Sequence, residues 1–119
     1  MGQQVIAIPV DAITDWVSFH DVFKHALGFP DFYGRNMDAW IDCMTSVDAA
    51  RDGLTAITVP PGGVVVLRID DPFDFRRRCP EQFDALIECS AFVNFRRTEV
   101  GDPPVLALLL NGKNEQRQS

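Results

Sequence analysis

The amino-acid sequence predicts an α/β fold, in which a small three-stranded parallel sheet has helices packed against it. Three short runs rich in Val, Ile and Leu occupy residues 5–10, 64–69 and 105–110, and each run is typical of a buried strand. Helical patterns separate these runs, so the order is strand, helices, strand, helices, strand. That alternation favours parallel strands joined by helical crossovers.

Two helices are predicted between the first two strands. The first has Thr14 as its N-cap and ends at Gly28, because apolar residues recur between them at spacings of three and four. Those apolar positions are Trp16, Phe19, Phe23, Ala26 and Leu27. The second helix follows Asn36, a favourable N-cap, and is predicted to run to Ala50.

The second half of the chain contains one further possible strand and two helix starts. Residues 54–59 are β-branched and precede the turn at 60–63, which suggests an extra edge strand. A short helix is predicted to start at 71–72 and a longer one at 79–80, since proline suits the first helical position. The longer helix is expected to reach residue 96 or 97.

A single domain is predicted to cover residues 1–110. The chain has 119 residues, of which 46% are hydrophobic, and this is enough for one modest core. No repeat, low-complexity tract or linker interrupts this stretch. Residues 111–119 are polar and lack apolar anchors, so we expect a disordered tail.

The charge balance indicates the kind of partner. Seventeen acidic and 11 basic residues give a net charge of −6, which disfavours direct contact with nucleic acid or anionic membranes and favours a basic partner. The sequence contains neither a membrane-spanning apolar run of about 20 residues nor a signal-like start, so we expect a cytoplasmic protein.

The cysteines, histidines and arginines do not form a recognisable catalytic or metal-binding pattern. The three cysteines are far apart and predict free thiols, and no cofactor or metal ion is expected. His20 and His25 do not share a helix face, so we place both at the surface or at a helix end. The basic run 76–78 has acidic neighbours, which favours a locally balanced, solvated face.

The second predicted helix carries two acidic residues on one side. Its apolar stripe faces the core and consists of Met37, Trp40, Ile41, Met44 and Val47. Asp38 and Asp42 lie four residues apart on the opposite face, close to Thr45, with Ile41 at the border between the acidic and apolar surfaces. Ordinary solvated carboxylates would show the same pattern, so the spacing alone does not establish a site.

The segment 29–44 resembles the signature of the barstar family. In that family an aromatic loop ending in Tyr-Gly leads through Asn into a helix that carries Asp-Ala and then Asp-Cys. The matching residues here are Pro30, Tyr33, Gly34, Asn36, Asp38, Ala39, Asp42 and Cys43. The resemblance extends more loosely over most of Val5 to Leu110, and it implies three parallel strands with packed helices.

The resemblance also implies a function. In that family the loop and helix enter the active site of a ribonuclease, where two carboxylates face the cations that would hold RNA phosphate. It therefore implies an intracellular inhibitor without enzymatic activity, monomeric when free, whose partner is a basic extracellular or toxin ribonuclease. Asp38 and Asp42 would be the charged centre of the site. Tyr33 and Gly34 would shape the loop, and Ile41 would be an apolar edge contact.

Two positions depart from the family pattern and keep other interpretations open. Family members often carry Tyr where this chain has Phe32, and the founding member has Trp where this chain has Ile41. Among the loop aromatics, we expect Tyr33 to remain partly exposed. The family's acidic contact from the last helix does not align clearly, and Glu88 is the candidate. The alternatives are an interaction module without inhibitory activity and a small hydrolase that uses the same two carboxylates.

Overall fold

The computed structural model describes residues 2–112 of the chain. It contains three strands and four α-helices, together with two short 3-10 helices at Val10–Ala12 and Ala50–Asp52. The strands are β1 (Gln3–Ala7), β2 (Val64–Asp70) and β3 (Leu106–Asn111), and the helices are α1 (Trp16–Leu27), α2 (Met37–Thr45), α3 (Pro72–Arg78) and α4 (Pro80–Glu99).

The strands form one parallel sheet in the order β1-β2-β3, which confirms the predicted fold class. The central strand β2 alternates between the two faces of the sheet. Val65, Leu67 and Ile69 point into the core and are fully buried, whereas the residues between them are only half-buried. One face of the sheet is therefore covered by the helices and the other face is partly open.

The two outer strands are more exposed than their apolar sequences predict. Val5 in β1 and Leu109 in β3 are each 47% exposed. β1 also begins and ends earlier than expected. The Ile8 amide still donates to the Arg68 carbonyl at 3.0 Å, but the Val10 amide donates to the Ile8 carbonyl at 2.7 Å as the chain turns into a 3-10 helix. Both strands lie at sheet edges, so only the inner face of β2 is buried as completely as predicted.

Helix α1 starts one residue later than predicted, with Asp15 and not Thr14 as its N-cap. The Ser18 amide donates to the Asp15 carboxylate at 2.9 Å, and the Asp15 amide donates to the Ser18 hydroxyl at 3.0 Å. This reciprocal capping box satisfies two amides at the start of the helix. The predicted end at Gly28 is confirmed, and this glycine adopts a left-handed φ of 69°.

The predicted extra edge strand at 54–59 is wrong. The amides of Ala56 and Val59 donate to the carbonyls of Leu27 and Val47, at 2.9 and 3.0 Å respectively. This segment therefore caps the ends of α1 and α2 and does not add to the sheet. Its β-branched residues suit an extended chain, but its hydrogen-bond partners lie at the end of α1 and just beyond the end of α2.

Helix α2 is shorter than predicted and ends at Thr45, five residues before Ala50. Arg97 of α4 donates to the Thr45 carbonyl at 2.9 Å and pairs with Asp48 at 2.6 Å. The guanidinium thus takes the place of the next helical hydrogen bond and joins the end of α2 to α4.

The proline-led starts of α3 and α4 are confirmed, although α4 extends beyond the predicted end to Glu99. Asp74 pairs with Arg77 and Arg78, so two of the three consecutive arginines are locally balanced as expected. Asn111 is still the last residue of β3, one residue inside the predicted tail. Residues 113–119 lie outside the described residues, and their predicted disorder stays a prediction.

Candidate functional site

Buried aromatic side chains attach the loop between α1 and α2 to the core. The rings of Phe29 and Tyr33 pack with their centroids 4.7 Å apart, and both residues are at most 6% exposed. The Tyr33 hydroxyl lies 2.6 Å from Nδ1 of His20, which is buried in α1. The expected partial exposure of Tyr33 is therefore wrong, as is the expected surface position of His20.

The protonation states of this buried pair follow from its surroundings. Burial, reinforced by the Arg35 guanidinium and opposed by Asp21, lowers the pKa of His20 below its ordinary value of 6.5. Burial also raises the pKa of Tyr33. At neutral pH a neutral phenol and a neutral imidazole therefore share this hydrogen bond. This bond fixes the loop to α1.

The exposed part of the loop carries Phe32, Gly34 and Arg35. Phe32 is 77% exposed, so its ring is available to a partner. The left-handed residue of the loop is Arg35, with φ of 55°, and not Gly34. The Arg35 guanidinium pairs with the Asp21 carboxylate and lies 3.4 Å from the Val17 carbonyl. Arg35 thus provides a second attachment of the loop to α1.

Asn36 caps α2, as the sequence predicts. Its side-chain oxygen accepts the Ala39 amide at 2.8 Å, and its side-chain nitrogen donates to the Gly34 carbonyl at 3.3 Å. One side chain therefore joins the loop to the helix and fixes where the helix starts. As a result Asp38 lies in the first turn, where the helix dipole stabilises a negative charge.

The two predicted carboxylates lie on the solvent side of α2. Asp38 is exposed, and the Asp42 side chain is 63% exposed. Trp40 and Met44, on the opposite side of the helix, are fully buried. The core thus fixes the rotation of α2 and holds both carboxylates outward, one turn apart.

The other two predicted residues of α2 are less accessible. Ile41 is 8% exposed and packs in the core, so its predicted place at the border of the acidic surface is wrong. The apolar stripe of α2 is wide enough to include this position. Thr45 is half-buried, and its hydroxyl donates to the Ile41 carbonyl at 2.6 Å within the helix.

Helix α4 adds Arg96, a charged residue that the sequence did not predict for the site. Nη1 of Arg96 lies 3.2 Å from the Asp42 carboxylate, and the Arg96 side chain is 43% exposed. Burial raises the pKa of the Cys89 thiol, and the nearby carboxylates of Glu88 and Asp38 raise it further. Arg96 and Asp42 are 54 residues apart in the sequence, so no local pattern could reveal their contact.

Other features bear on the alternative functions. Among residues 2–112, no group of three or more His, Cys, Asp or Glu side chains is arranged to hold a metal ion. Within the same range, no helix has the length and hydropathy needed to cross a membrane. Burial and the neighbouring Asp42 carboxylate raise the pKa of the Cys43 thiol to about 11, which keeps it protonated and unreactive.

The fold and this surface together define a class of small α/β domains that present two carboxylates on a rigid loop and helix. Residues 3–104 match the family model described as Barstar (barnase inhibitor), and the chain belongs to this family. Inhibition of ribonucleases is the activity of that family, whose members are inhibitors and not enzymes.

A curated relative supports the same assignment over a shorter stretch. The chain is 62% identical over 26 residues to a Bacillus subtilis (strain 168) protein named "Putative ribonuclease inhibitor YrdF". The match covers 22% of this chain and 29% of the relative's length.

Proposed function

We propose that this protein is a stoichiometric inhibitor that blocks the active site of a basic ribonuclease. The observation that carries the proposal is the exposed pair Asp38 and Asp42, held one turn apart on a helix whose opposite side is fixed in the core. A ribonuclease concentrates positive charge to bind its polyanionic substrate. Two rigid carboxylates can occupy such a site as mimics of phosphate.

The attachment of the loop supports this function. Asn36 joins the loop to α2, and Tyr33 joins it to α1 through His20. A surface that is already ordered loses little conformational entropy on binding, so more of its contact energy appears as affinity. In this proposal Phe32 contacts the enzyme directly. Gly34 permits close approach of the enzyme, while Tyr33 supports the loop from within.

The net charge of −6 fits the proposed partner. An acidic protein is steered towards a basic enzyme, and this steering raises the association rate at low salt. The partner would be an extracellular or toxin-type ribonuclease against which a cytoplasmic, monomeric inhibitor protects the cell. The proposal involves no contact with nucleic acid or membrane.

The experiment is a titration of RNA cleavage by a panel of basic ribonucleases with the purified protein. The variant is Asp38→Ala/Asp42→Ala, and the control is Asp52→Ala/Asp102→Ala, which removes the same charge from two exposed positions elsewhere. We expect the wild type and the control to silence one enzyme near one-to-one stoichiometry and the site variant to fail. Equal inhibition by both double variants would contradict the assigned site.

The single substitution Asp42→Ala tests the centre of the site. We expect inhibition to weaken by at least about 2 kcal/mol, the size of an interface hot spot, which is about 30-fold in Kd. The fold should be unaffected because this side chain is exposed and its ion pair with Arg96 lies at the surface. A fully inhibitory Asp42→Ala protein would refute the role of this carboxylate. Binding of an enzyme without slower RNA cleavage would instead favour an interaction module.

A further inference from the structure

Helix α4, which packs beside α2, exposes two aromatic side chains. Phe92 and Phe95 are 45% and 55% exposed, and their rings stack with centroids 6.1 Å apart and an interplanar angle of 27°. Aromatic side chains are enriched at the centres of protein interfaces, where they bury large areas at low entropic cost. The exposed pair is therefore a candidate contact surface.

The position of Phe92 relates this aromatic pair to the carboxylates. Cys89, Phe92 and Arg96 follow one another at spacings of three and four, so they lie along one strip of α4. At one end of the strip Arg96 contacts Asp42, and at the other end Cys89 lies within the electrostatic influence of Asp38. Phe92 thus stands between the two places where α4 approaches the acidic pair.

We propose that Phe92 and Phe95 of α4 form an apolar contact with the same ribonuclease that Asp38 and Asp42 engage. This inference rests on the proposed function and adds an apolar contact to its charged site. The matching surface of the enzyme would be an apolar patch bordering its cationic active site.

The burial of Ile41 is the physical reason why the binding surface needs a further apolar contact. Ile41 is 8% exposed and contributes little apolar area, so the α2 face offers mainly charge. Aromatic anchors supply apolar contact area at an interface, and their loss mainly speeds dissociation. The exposed rings on α4 supply that apolar area, Phe92 on the strip that approaches the carboxylates and Phe95 stacked on it.

The test compares Phe92→Ala/Phe95→Ala with the control Phe73→Ala. Phe73 is 63% exposed on α3, so its truncation removes a similar exposed ring away from the strip. Association and dissociation rates would be measured by surface plasmon resonance at several salt concentrations, using the ribonuclease that the wild type inhibits. Urea denaturation would show that each variant is folded before its binding is compared.

We expect the double variant to bind at least about tenfold more weakly, mainly through faster dissociation, with a salt dependence like that of the wild type. The Asp42→Ala variant should instead show a weaker salt dependence, because it removes a charge. Binding of the double variant within twofold of the wild type would overturn the inference, as would an equal loss in Phe73→Ala. A third outcome would also overturn the inference: the wild type self-associates, and the double variant is monomeric but binds the ribonuclease as tightly. The two rings would then contact a second copy of the chain.

The two proposals fail in distinguishable ways. If the wild type binds no ribonuclease, the proposed function is refuted and this inference falls with it. If the wild type binds and Asp42→Ala weakens binding while the aromatic double variant does not, only the apolar contact on α4 is refuted.

Discussion

Substitution of Tyr33 by Phe separates a supporting role in the loop from direct contact with a partner. The hydroxyl is hydrogen-bonded to Nδ1 of His20 at 2.6 Å, and both residues are buried. Tyr33→Phe removes only the hydroxyl and keeps the ring that packs on Phe29. The expected result is lower stability with nearly unchanged contact chemistry at the surface.

The magnitude follows from what the substitution leaves behind. A net hydrogen bond contributes about 0.5–1.5 kcal/mol, and a buried acceptor left without a partner costs about 1–3 kcal/mol. The buried imidazole Nδ1 of His20 is left without this partner in Tyr33→Phe, and the same cost applies to a buried donor or acceptor. We therefore expect the free energy of unfolding to fall by about 1–3 kcal/mol, with an unchanged urea m-value.

Urea denaturation of Tyr33→Phe, His20→Leu and the double variant measures this effect. The stability losses of the two single variants should add up to more than the loss in the double variant, because each single substitution breaks the same hydrogen bond. Once folded, Tyr33→Phe should inhibit a ribonuclease within about threefold of the wild type, since the hydroxyl faces inward. Strict additivity of the two substitutions would refute the buried hydrogen bond. A large loss of binding in a stable Tyr33→Phe protein would show that the phenol meets the partner.

The same pair predicts a dependence of stability on pH. The pKa of His20 in the folded protein lies below its ordinary 6.5, so the unfolded chain binds the proton first as pH falls. The contribution of His20 is fully present above pH 6.5 and is lost as pH falls from there towards the folded pKa. The free energy of unfolding should drop more between about pH 7.5 and pH 5.5 in the wild type than in His20→Leu. Parallel curves for the two proteins would contradict this explanation.

Three further predictions concern α4 and the loops. Arg96→Gln removes a cation that competes with the enzyme for the Asp42 carboxylate, so it should tighten ribonuclease binding by up to about fivefold. The control Arg76→Gln makes the same change in net charge and should leave binding unchanged. Weaker binding by Arg96→Gln would contradict this competition. Arg97→Gln leaves the Asp48 carboxylate, whose side chain is 14% exposed, without its ion pair and should cost about 3 kcal/mol in chemical denaturation. A loss below about 1 kcal/mol would refute that role. Gly28 and Gly53 share a φ of 69°, but only at Gly28 would a Cβ overlap a neighbouring segment. Gly53→Ala should therefore cost about 1 kcal/mol and Gly28→Ala clearly more by thermal unfolding, and equal losses would argue against the overlap.

The sequence by itself determined the features that depend on local chemistry. Apolar runs and the helical patterns between them predicted three strands and their parallel orientation. The capping preference of Asn36 predicted the start of α2, and the spacing of Asp38 and Asp42 predicted that they share one face. Each of these depends on interactions within a few residues, which a pattern along the chain records. Family membership followed from the same segment.

Only the tertiary structure decided which neighbours each side chain meets. The segment 54–59 became a cap for two helices because the carbonyls within reach belong to helix ends. Ile41 and Tyr33 became buried because α2 and the loop pack tightly against the core, and Arg96 reached Asp42 because α4 packs beside α2. These contacts join residues that are far apart in the sequence or depend on how tightly elements pack. Their energies arise only when the whole domain folds, so a reading along the chain cannot reveal them.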